Sequence, residues 1–211
     1  MAADTAPIRA KTLTAMANAL GRESPRIVLA ASLLGECADL AIEFDEHEYA
    51  RRMLMKAGRL DDFDVLTFLM GLPHNEPVPT TALSPDEHLM LHRLPKGSVE
   101  FRADAVVRMA RPPVRSVLAL VYDDQWLRGL NAASVFAPVA TRMLIVPALP
   151  PDAGLLFAEA AEYGIGVGTP SETGVCIHIQ PEVWRQRYFT PGGWIFREQV
   201  FQLATLRDAA T

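Results

Sequence analysis

Apolar and polar positions alternate between residues 115 and 169 in a pattern that predicts strand, helix, strand, helix, strand. The strands are predicted from short β-branched and apolar runs, which cover residues 117–122, 143–147 and 165–167. Segments long enough for helices separate these runs. Successive strands joined by helices need crossover connections, so the pattern predicts parallel strands at one edge of a layered α/β domain.

The first part of the chain is predicted to be mainly helical. Apolar residues recur at helical spacing in three segments, which cover residues 7–20, 46–57 and 61–70. The apolar segment 27–34 fits either a buried helix or a strand. A proline-containing loop, residues 71–83, precedes a short helix that opens with a capping box from Ser84 to Glu87. These features predict a helical N-terminal region, residues 1–95, and an α/β core domain, residues 96–211.

A hairpin is predicted to lead into the α/β segment. Residues 99–109 alternate as a strand does, and after a turn at Pro112-Pro113 the residues 114–122 are predicted to run back beside them. Together, the elements from residue 99 to residue 181 resemble the core of the PD-(D/E)XK restriction-endonuclease-like superfamily. In that core a hairpin carries the metal site, and helix, strand, helix and strand follow. The resemblance implies a mixed sheet flanked by helices, preceded here by the helical N-terminal region.

The motif of that superfamily is incomplete in this chain. The family places an aspartate on the first hairpin strand and Glu-x-Lys on the second, because two carboxylates hold a divalent ion and the lysine orients the attacking water. Asp104 matches the aspartate, but Leu120 and Tyr122 stand at the positions of the acid and the lysine. The resemblance therefore implies a member without catalytic activity, metal or cofactor. Asp123 and Asp124, at the strand end, are the candidates for a displaced acidic site together with Asp104.

Every basic residue after Lys96 is an arginine. Six arginines are candidate contacts to a nucleic acid or a partner protein: Arg102, Arg108, Arg111, Arg115, Arg185 and Arg187. Alternation along a strand would place the first two on one face with Asp104, and the turn would bring the next two to one end of the hairpin. The last two alternate with aromatic residues, which can stack on bases. The alternatives are solvated arginines paired with nearby aspartates, and an aromatic cluster packed under a C-terminal helix.

Other sequence motifs predict no chemistry. His88 and His92 have the i, i+4 spacing of a zinc-binding pair, but the sequence brings no third ligand near them, so a solvated or partly buried helix face is favoured. The glycines from Gly164 to Gly168 follow a helix instead of opening one, so Gly164 is interpreted as the end of that helix. A helix-turn-helix with its turn at residues 57–60 is disfavoured, because acidic residues open its second helix where phosphates would approach, and an αα-hairpin packed on the core is favoured instead.

The composition sets outer limits on partners and compartment. A formal net charge of -5 excludes binding of nucleic acid through bulk positive charge. Cys37 and Cys176 lie far apart and predict reduced core residues more readily than one disulfide. The sequence begins without the pattern of a signal peptide and has no apolar stretch long enough to span a membrane, so a cytoplasmic protein is expected.

Three functional hypotheses follow from these observations. The first is a non-catalytic restriction-endonuclease-like domain that acts as a binding or assembly module for a nucleic acid or a protein partner. The second is a metal-dependent hydrolase or nuclease that uses the displaced acidic site. The third is a structural protein whose apolar surface forms a homodimer. Binding of divalent ions separates the second hypothesis from the first.

Overall fold

The computed structural model describes residues 6–22, 24–171, 174–186 and 188–208. The helices in these residues are α1 (Ala6–Ala19), α2 (Glu46–Met55), α3 (Phe63–Gly71), α4 (Pro85–Arg93), α5 (Trp126–Ser134), α6 (Ala153–Glu162) and α7 (Pro191–Asp208). The strands are β1 (Arg26–Leu33), β2 (Glu36–Phe44), β3 (Pro77–Pro79), β4 (Val99–Arg102), β5 (Ala105–Arg108), β6 (Val114–Tyr122), β7 (Thr141–Ile145), β8 (Gly166–Ser171) and β9 (Gly174–Ile179). A single 3₁₀ turn, Thr80–Ala82, follows β3. The fold class is therefore mixed α/β, as predicted.

The chain divides into two compact units, each built from separated segments. The first unit comprises the described residues of Met1–Glu43, Arg115–Gln186 and Leu203–Thr211. The second unit comprises those of Phe44–Val114 and Arg187–Gln202. This division differs from the predicted contiguous regions 1–95 and 96–211, because the first unit draws on both ends of the chain and the second on two separated segments.

The first unit contains a six-stranded sheet in the order β1, β2, β6, β7, β8, β9. β6 pairs with β7 in parallel, and β7 pairs with β8 in parallel. The prediction of parallel strands joined by helices is therefore confirmed. Both ends of the sheet are antiparallel pairs, β1 with β2 and β8 with β9.

The α1 helix packs on one face of this sheet through Leu13, Met16 and Ala17. Its neighbours there are buried side chains of the central strands, among them Leu120 and Met143. Every second residue of a strand points to the same face, which explains why Leu118 and Leu120 share this cluster. Burying a leucine or methionine side chain stabilises a fold by roughly 1.5–3 kcal/mol.

The N-terminal region is not wholly helical, because residues 27–34 lie mostly in β1. The sequence pattern of this segment fits either a helix or a strand, and the tight turn that follows explains why a strand forms. Leu34 and Gly35 both have positive φ, 56° and 86°, as the two-residue turns that best match the twist of antiparallel strands require. The turn pairs Leu33 with Glu36 and so brings β1 and β2 into one hairpin.

The second unit contains a three-stranded sheet in the order β3, β5, β4. The predicted strand 99–109 is wrong: the chain reverses at Ala103 and Asp104, and β4 pairs with β5 as a hairpin of its own. The predicted partner strand β6 lies instead between β2 and β7 in the larger sheet. Aspartate favours turns because its side chain bonds to nearby backbone, and this local preference outweighs the alternation.

The core of the second unit lies around Trp194, which is 1% exposed. Leucines of α3, α4 and the segment before α3 surround it together with Val106 of β5. The helix ends are capped as predicted, since Ser84 and Glu87 form the capping box of α4. In the first unit, Gly164 has φ 64° just past the end of α6, which confirms that it terminates a helix.

Candidate functional site

The carboxyl ends of β6 and β7 meet at one edge of the six-stranded sheet, where Tyr122 pairs with Ile145. Ligands of α/β proteins bind beyond this edge, because loops that follow parallel strands converge there. Asp123 and Asp124 follow β6 directly. Two of the three acidic candidates are therefore at the edge where a site is expected.

Asp123 is bound to Arg128 of α5. Its Oδ2 accepts a hydrogen bond from Arg128 Nε at 2.6 Å, and its Oδ1 accepts from Nη2 at 2.8 Å and from the Gln125 amide at 2.7 Å. Asp124 accepts a weaker bond from the same guanidinium at 3.2 Å. The hydrogen bond with Arg128 lowers the pKa of Asp123, although burial partly opposes this effect. The guanidinium of Arg128 therefore already binds the carboxylate oxygens that a divalent ion would need.

A second polar cluster lies beside Tyr122, on the strand face that α1 covers. Asp39 of β2 is 0% exposed and binds the Arg9 guanidinium through both carboxylate oxygens. Its Oδ1 also accepts from the amide of Ala30 at 2.8 Å, where β1 has a bulge and φ is 52°. The Arg9 guanidinium lies 4.8 Å from the centre of the Tyr122 ring. The three side chains Arg9, Asp39 and Tyr122 thus form one contiguous cluster.

The positive charge of Arg9 balances the negative charge of Asp39. Neither Tyr122 nor Arg9 has a pKa suited to proton transfer at neutral pH. Burial, with the nearby negative charge of Asp39, raises the pKa of Tyr122 to about 12. Burial lowers the pKa of Arg9, but the hydrogen bonds and the charge of Asp39 outweigh this effect and raise it. A general acid or base needs a pKa near the working pH. Tyr122 and Arg9 keep their protons at neutral pH, so the cluster is suited to holding structure and to hydrogen bonding.

The sequence contains one indication of the cluster formed by Arg9, Asp39 and Tyr122. Asp39 interrupts a long apolar stretch, and a carboxylate within a buried strand needs a cation or several donors as partners. Arg9 lies 30 residues earlier on α1, and the sequence carries no sign of that pairing. Arg128 follows Asp124 at the i, i+4 spacing that forms helical ion pairs, and this spacing was available from the sequence.

The residues of β6 do not fit the metal site that the resemblance would need. Leu120, at the position of the second acid, is 0% exposed and packs in the core under α1. Tyr122, at the position of the lysine, lies with Arg9 and Asp39. Neither side chain provides a metal ligand or an ammonium group.

Asp104 is not on a strand with the other acidic candidates. It lies exposed in the turn between β4 and β5, where its carbonyl accepts from the amide and the hydroxyl of Thr80 at 2.7 and 3.0 Å. It belongs to the second unit, whereas Asp123 and Asp124 belong to the first. Arg102, which alternation would place on the face of Asp104, pairs with Glu100 at 3.0 Å instead.

Arg108, predicted from the sequence as a contact to a nucleic acid or a partner protein, has a structural role instead. It is buried, and its guanidinium donates to the carbonyls of Ala110 and Leu72 at 3.1 Å each and, less closely, to Leu69 at the end of α3. Its guanidinium carbon lies 5.2 Å from the centre of the Trp194 ring. Burial lowers the pKa of Arg108. A guanidinium held in this way neutralises the helix C-terminus and cannot reach a phosphate.

The remaining candidate arginines belong to different units. Arg111 of the second unit forms an ion pair with Asp45 at 3.3 Å. Arg115 and Arg185 lie exposed in the first unit, on β6 and after β9. Arg187 lies outside the described residues. The predicted clustering depended on a hairpin of residues 99–122, and the β4–β5 turn replaces that hairpin.

The histidine and cysteine candidates carry no site in the described part of the chain. His88 and His92 are both exposed on α4, and Nδ1 of His88 lies 2.9 Å from the Ser84 carbonyl oxygen. The described residues include no group of three potential metal ligands among histidine, cysteine and acidic side chains. Cys37 and Cys176 are free, but both are exposed, so their prediction as core residues is wrong. Cys37 lies at the start of β2, next to the β1–β2 turn, and Cys176 lies on the edge strand β9.

Comparison of the chain with protein-family models, with curated proteins and with solved structures finds no match. None of the described helices has the length and apolar character that a bilayer crossing requires.

Proposed function

We propose that this chain is a non-catalytic binding or assembly module of the restriction-endonuclease-like type, and that its partner is a protein. The observation that carries the proposal is the state of β6. Leu120, at the expected position of an acid, is fully buried, and Tyr122 is committed to Arg9 and Asp39. A strand that uses both positions for packing and internal pairing supports recognition better than hydrolysis.

The ion pairing of the acidic candidates supports the same conclusion. Asp123 and Asp124 share the guanidinium of Arg128, so a divalent ion would have to displace a cation on the helix that follows them. Asp104 belongs to the other unit. The pairing with Arg128 weighs against a displaced acidic site at Asp123 and Asp124.

A protein partner is favoured over nucleic acid by the arginines and the apolar surface. Arg108 is buried, and Arg102 and Arg111 are already paired with carboxylates. Several large apolar side chains of the second unit are instead strongly exposed: Leu54, Phe63, Leu89, Phe101 and Tyr188. Exposed apolar and aromatic side chains are what protein partners cover. The two free, exposed cysteines suit a reducing compartment, which supports the cytoplasm as the setting.

Divalent-ion binding and nuclease assays test the non-catalytic part of the proposal. Calorimetric titration with Mg²⁺ or Mn²⁺ is expected to give no saturable heat, and the chain is expected to cleave neither DNA nor RNA. Saturable heat that is lost in Asp123→Asn but kept in Asp104→Asn would revive an acidic site at the carboxyl edge. Cleavage that requires a divalent ion would overturn the proposal.

Fluorescence anisotropy with labelled single- and double-stranded DNA and RNA tests the class of partner. No binding is expected even at low salt. Binding that weakens with salt and is lost in an Arg102→Glu, Arg185→Glu double variant would make nucleic acid the partner. Arg108 is unsuited to this test because its substitution would disturb the end of α3.

A further inference from the structure

The small sheet of the second unit has one closed edge and one open edge. At the closed edge, β3 consists of Pro77, Val78 and Pro79, and Val78 is opposite Val106 of β5. Proline has no N–H, and it is found at sheet edges where it prevents further pairing. At the open edge, β4 carries neither a proline nor a bulge.

Backbone groups of β4 alternate between β5 and the open edge. Arg102 and Ala105 flank a two-residue turn, so they form a hydrogen-bonded pair, and every second residue of β4 repeats that direction. The Ser98 carbonyl confirms this alternation, since it accepts from the Met109 and Ala110 amides at 3.0 Å. The N–H and C=O groups of Phe101 therefore point away from β5, toward the open edge.

The side chains of β4 are mostly exposed. Their order allows two antiparallel copies of the strand to place opposite charges across from each other. Phe101 is 65% exposed and shares its strand face with Val99, which packs against the core. Glu100 and Arg102 lie on the other face, about half exposed, and form an ion pair with each other at 3.0 Å, which facing strands can share. The sequence Glu100-Phe101-Arg102 thus carries an acid and a base at equal distances on either side of an aromatic residue.

We propose that β4 pairs with β4 of a second copy of this chain, antiparallel and around a two-fold axis at Phe101. In this register Phe101 is opposite Phe101 of the other copy, and the two residues exchange both of their free backbone hydrogen bonds. Glu100 of each copy is then opposite Arg102 of the other. Opposite charges and aromatic pairs directly across antiparallel strands are stabilising, and the three-stranded sheet becomes a continuous six-stranded one.

This inference rests on the assembly role proposed above and names the partner as a second copy of the chain. Charge complementarity distinguishes that partner from an unrelated strand, because the antiparallel register satisfies both charges only with the order acid, aromatic, base. The two proposals fail separately. Metal-dependent cleavage would overturn the non-catalytic role even in a dimeric protein, whereas a monomeric protein overturns the pairing and leaves that role standing.

Charge reversal provides the sharpest test of the register. Sedimentation velocity of the full chain, from about 1 µM to about 1 mM, covers the range in which small interfaces associate. The wild-type chain is expected to dimerise in this range. Glu100→Arg and Arg102→Glu each place like charges opposite each other, and each is expected to raise the dimer dissociation constant on the order of tenfold. An equimolar mixture of the two variants is expected to recover dimers, because every cross-strand pair is again of opposite charge.

Two further variants separate the backbone and side-chain contributions. Phe101→Pro removes the N–H at the open edge and no hydrogen bond to β5, so a folded monomer is expected, as circular dichroism and sedimentation would show. Phe101→Lys is also expected to abolish the dimer. Its matched control is Leu89→Lys on α4, where the side chain is equally exposed at 65%, and this control is expected to dimerise as the wild type does. A monomeric wild type, dimers that survive both single reversals, or a mixture that fails to recover them would each overturn the proposal.

Discussion

Arg52 and Glu198 form a two-pronged ion pair inside the second unit. Nη1 of Arg52 donates to Oε2 of Glu198 at 2.7 Å, and Nη2 donates to Oε1 at 2.6 Å. The two side chains are only 5% and 2% exposed. Trp194 Nε1 also donates to Glu198 at 2.9 Å, and Glu48 accepts from Arg52 Nε at 2.7 Å. The pair joins α2 to α7 within this unit. Glu48 also pairs with a second guanidinium, that of Arg51, at 2.7 Å.

Glu198→Ala is expected to destabilise the chain by about 3–5 kcal/mol, because it leaves the buried guanidinium of Arg52 without its main partner. Urea denaturation followed by tryptophan fluorescence measures this change. The control is Asp61→Ala, which breaks an exposed pair with Arg59 and is expected to cost at most about 1 kcal/mol. Equal losses in both variants would show that burial does not strengthen the Glu198 pair.

Asp123→Asn is expected to lower stability only above the acid range. The hydrogen bond with Arg128 holds the pKa of Asp123 in the folded chain below its ordinary 3.8. Its stabilisation is therefore fully present above pH 3.8 and is lost as the pH falls through the folded pKa. Urea midpoints of the wild type and the variant should differ between pH 5 and 7 and converge once the pH falls below the folded pKa of Asp123. A difference that stays constant below that pKa would contradict the pairing.

Leu34→Asn is expected to stabilise the β1–β2 hairpin. Leu34 has φ 56° in the turn, a left-handed conformation that costs most residues about 1–2 kcal/mol and that asparagine tolerates better. Since Leu34 is exposed, the substitution removes little packing, and a gain of about 0.5–1 kcal/mol in unfolding free energy is expected. Leu127→Asn, at an exposed helical position of α5, should give no gain. Thermal denaturation of both variants decides.

Gly129→Ala and Gly154→Ala are expected to change stability in opposite directions. A methyl group at Gly129 of α5 would lie 2.4 Å from Cδ1 of the fully buried Leu144, whereas one at Gly154 of α6 would meet nothing within 4 Å. Overpacking costs typically about 1–3 kcal/mol, while alanine in place of helical glycine gains up to about 1 kcal/mol. Urea midpoints should fall for the first variant and rise for the second. A rise for both would show that the contact between α5 and β7 is loose.

Local patterns predicted the parallel strands but not the hairpin before them. The β6, β7 and β8 runs are apolar and are separated by helix-length segments, so period and length agree on one structure. Residues 99–109 alternate equally well across a reversal at Ala103 and Asp104, and no glycine or proline marks that turn. Alternation continues in register through a two-residue turn, so it cannot distinguish one long strand from two short ones.

The candidate site was only partly predictable for a related reason. Asp123 and Asp124 follow a strand directly, so their place at the carboxyl edge could be predicted from the order of elements. Arg9 and Asp39 meet through the packing of α1 on the sheet, and Arg108 is buried because α3 ends beside it. These contacts depend on tertiary packing, which periodicity along a single strand does not describe.

The discontinuous second unit has a consequence for synthesis on the ribosome. Trp194 lies at the centre of its core with Leu66 and Leu69, yet these leucines leave the exit tunnel much earlier. About 125 residues separate Leu69 from Trp194, which at about 5–20 residues per second means a wait of roughly 6–25 s. During this interval the leucines of α3 have no tryptophan to cover them. The nascent chain therefore exposes an apolar surface that a holding chaperone would be expected to bind, and late synthesis of α7 ends that exposure.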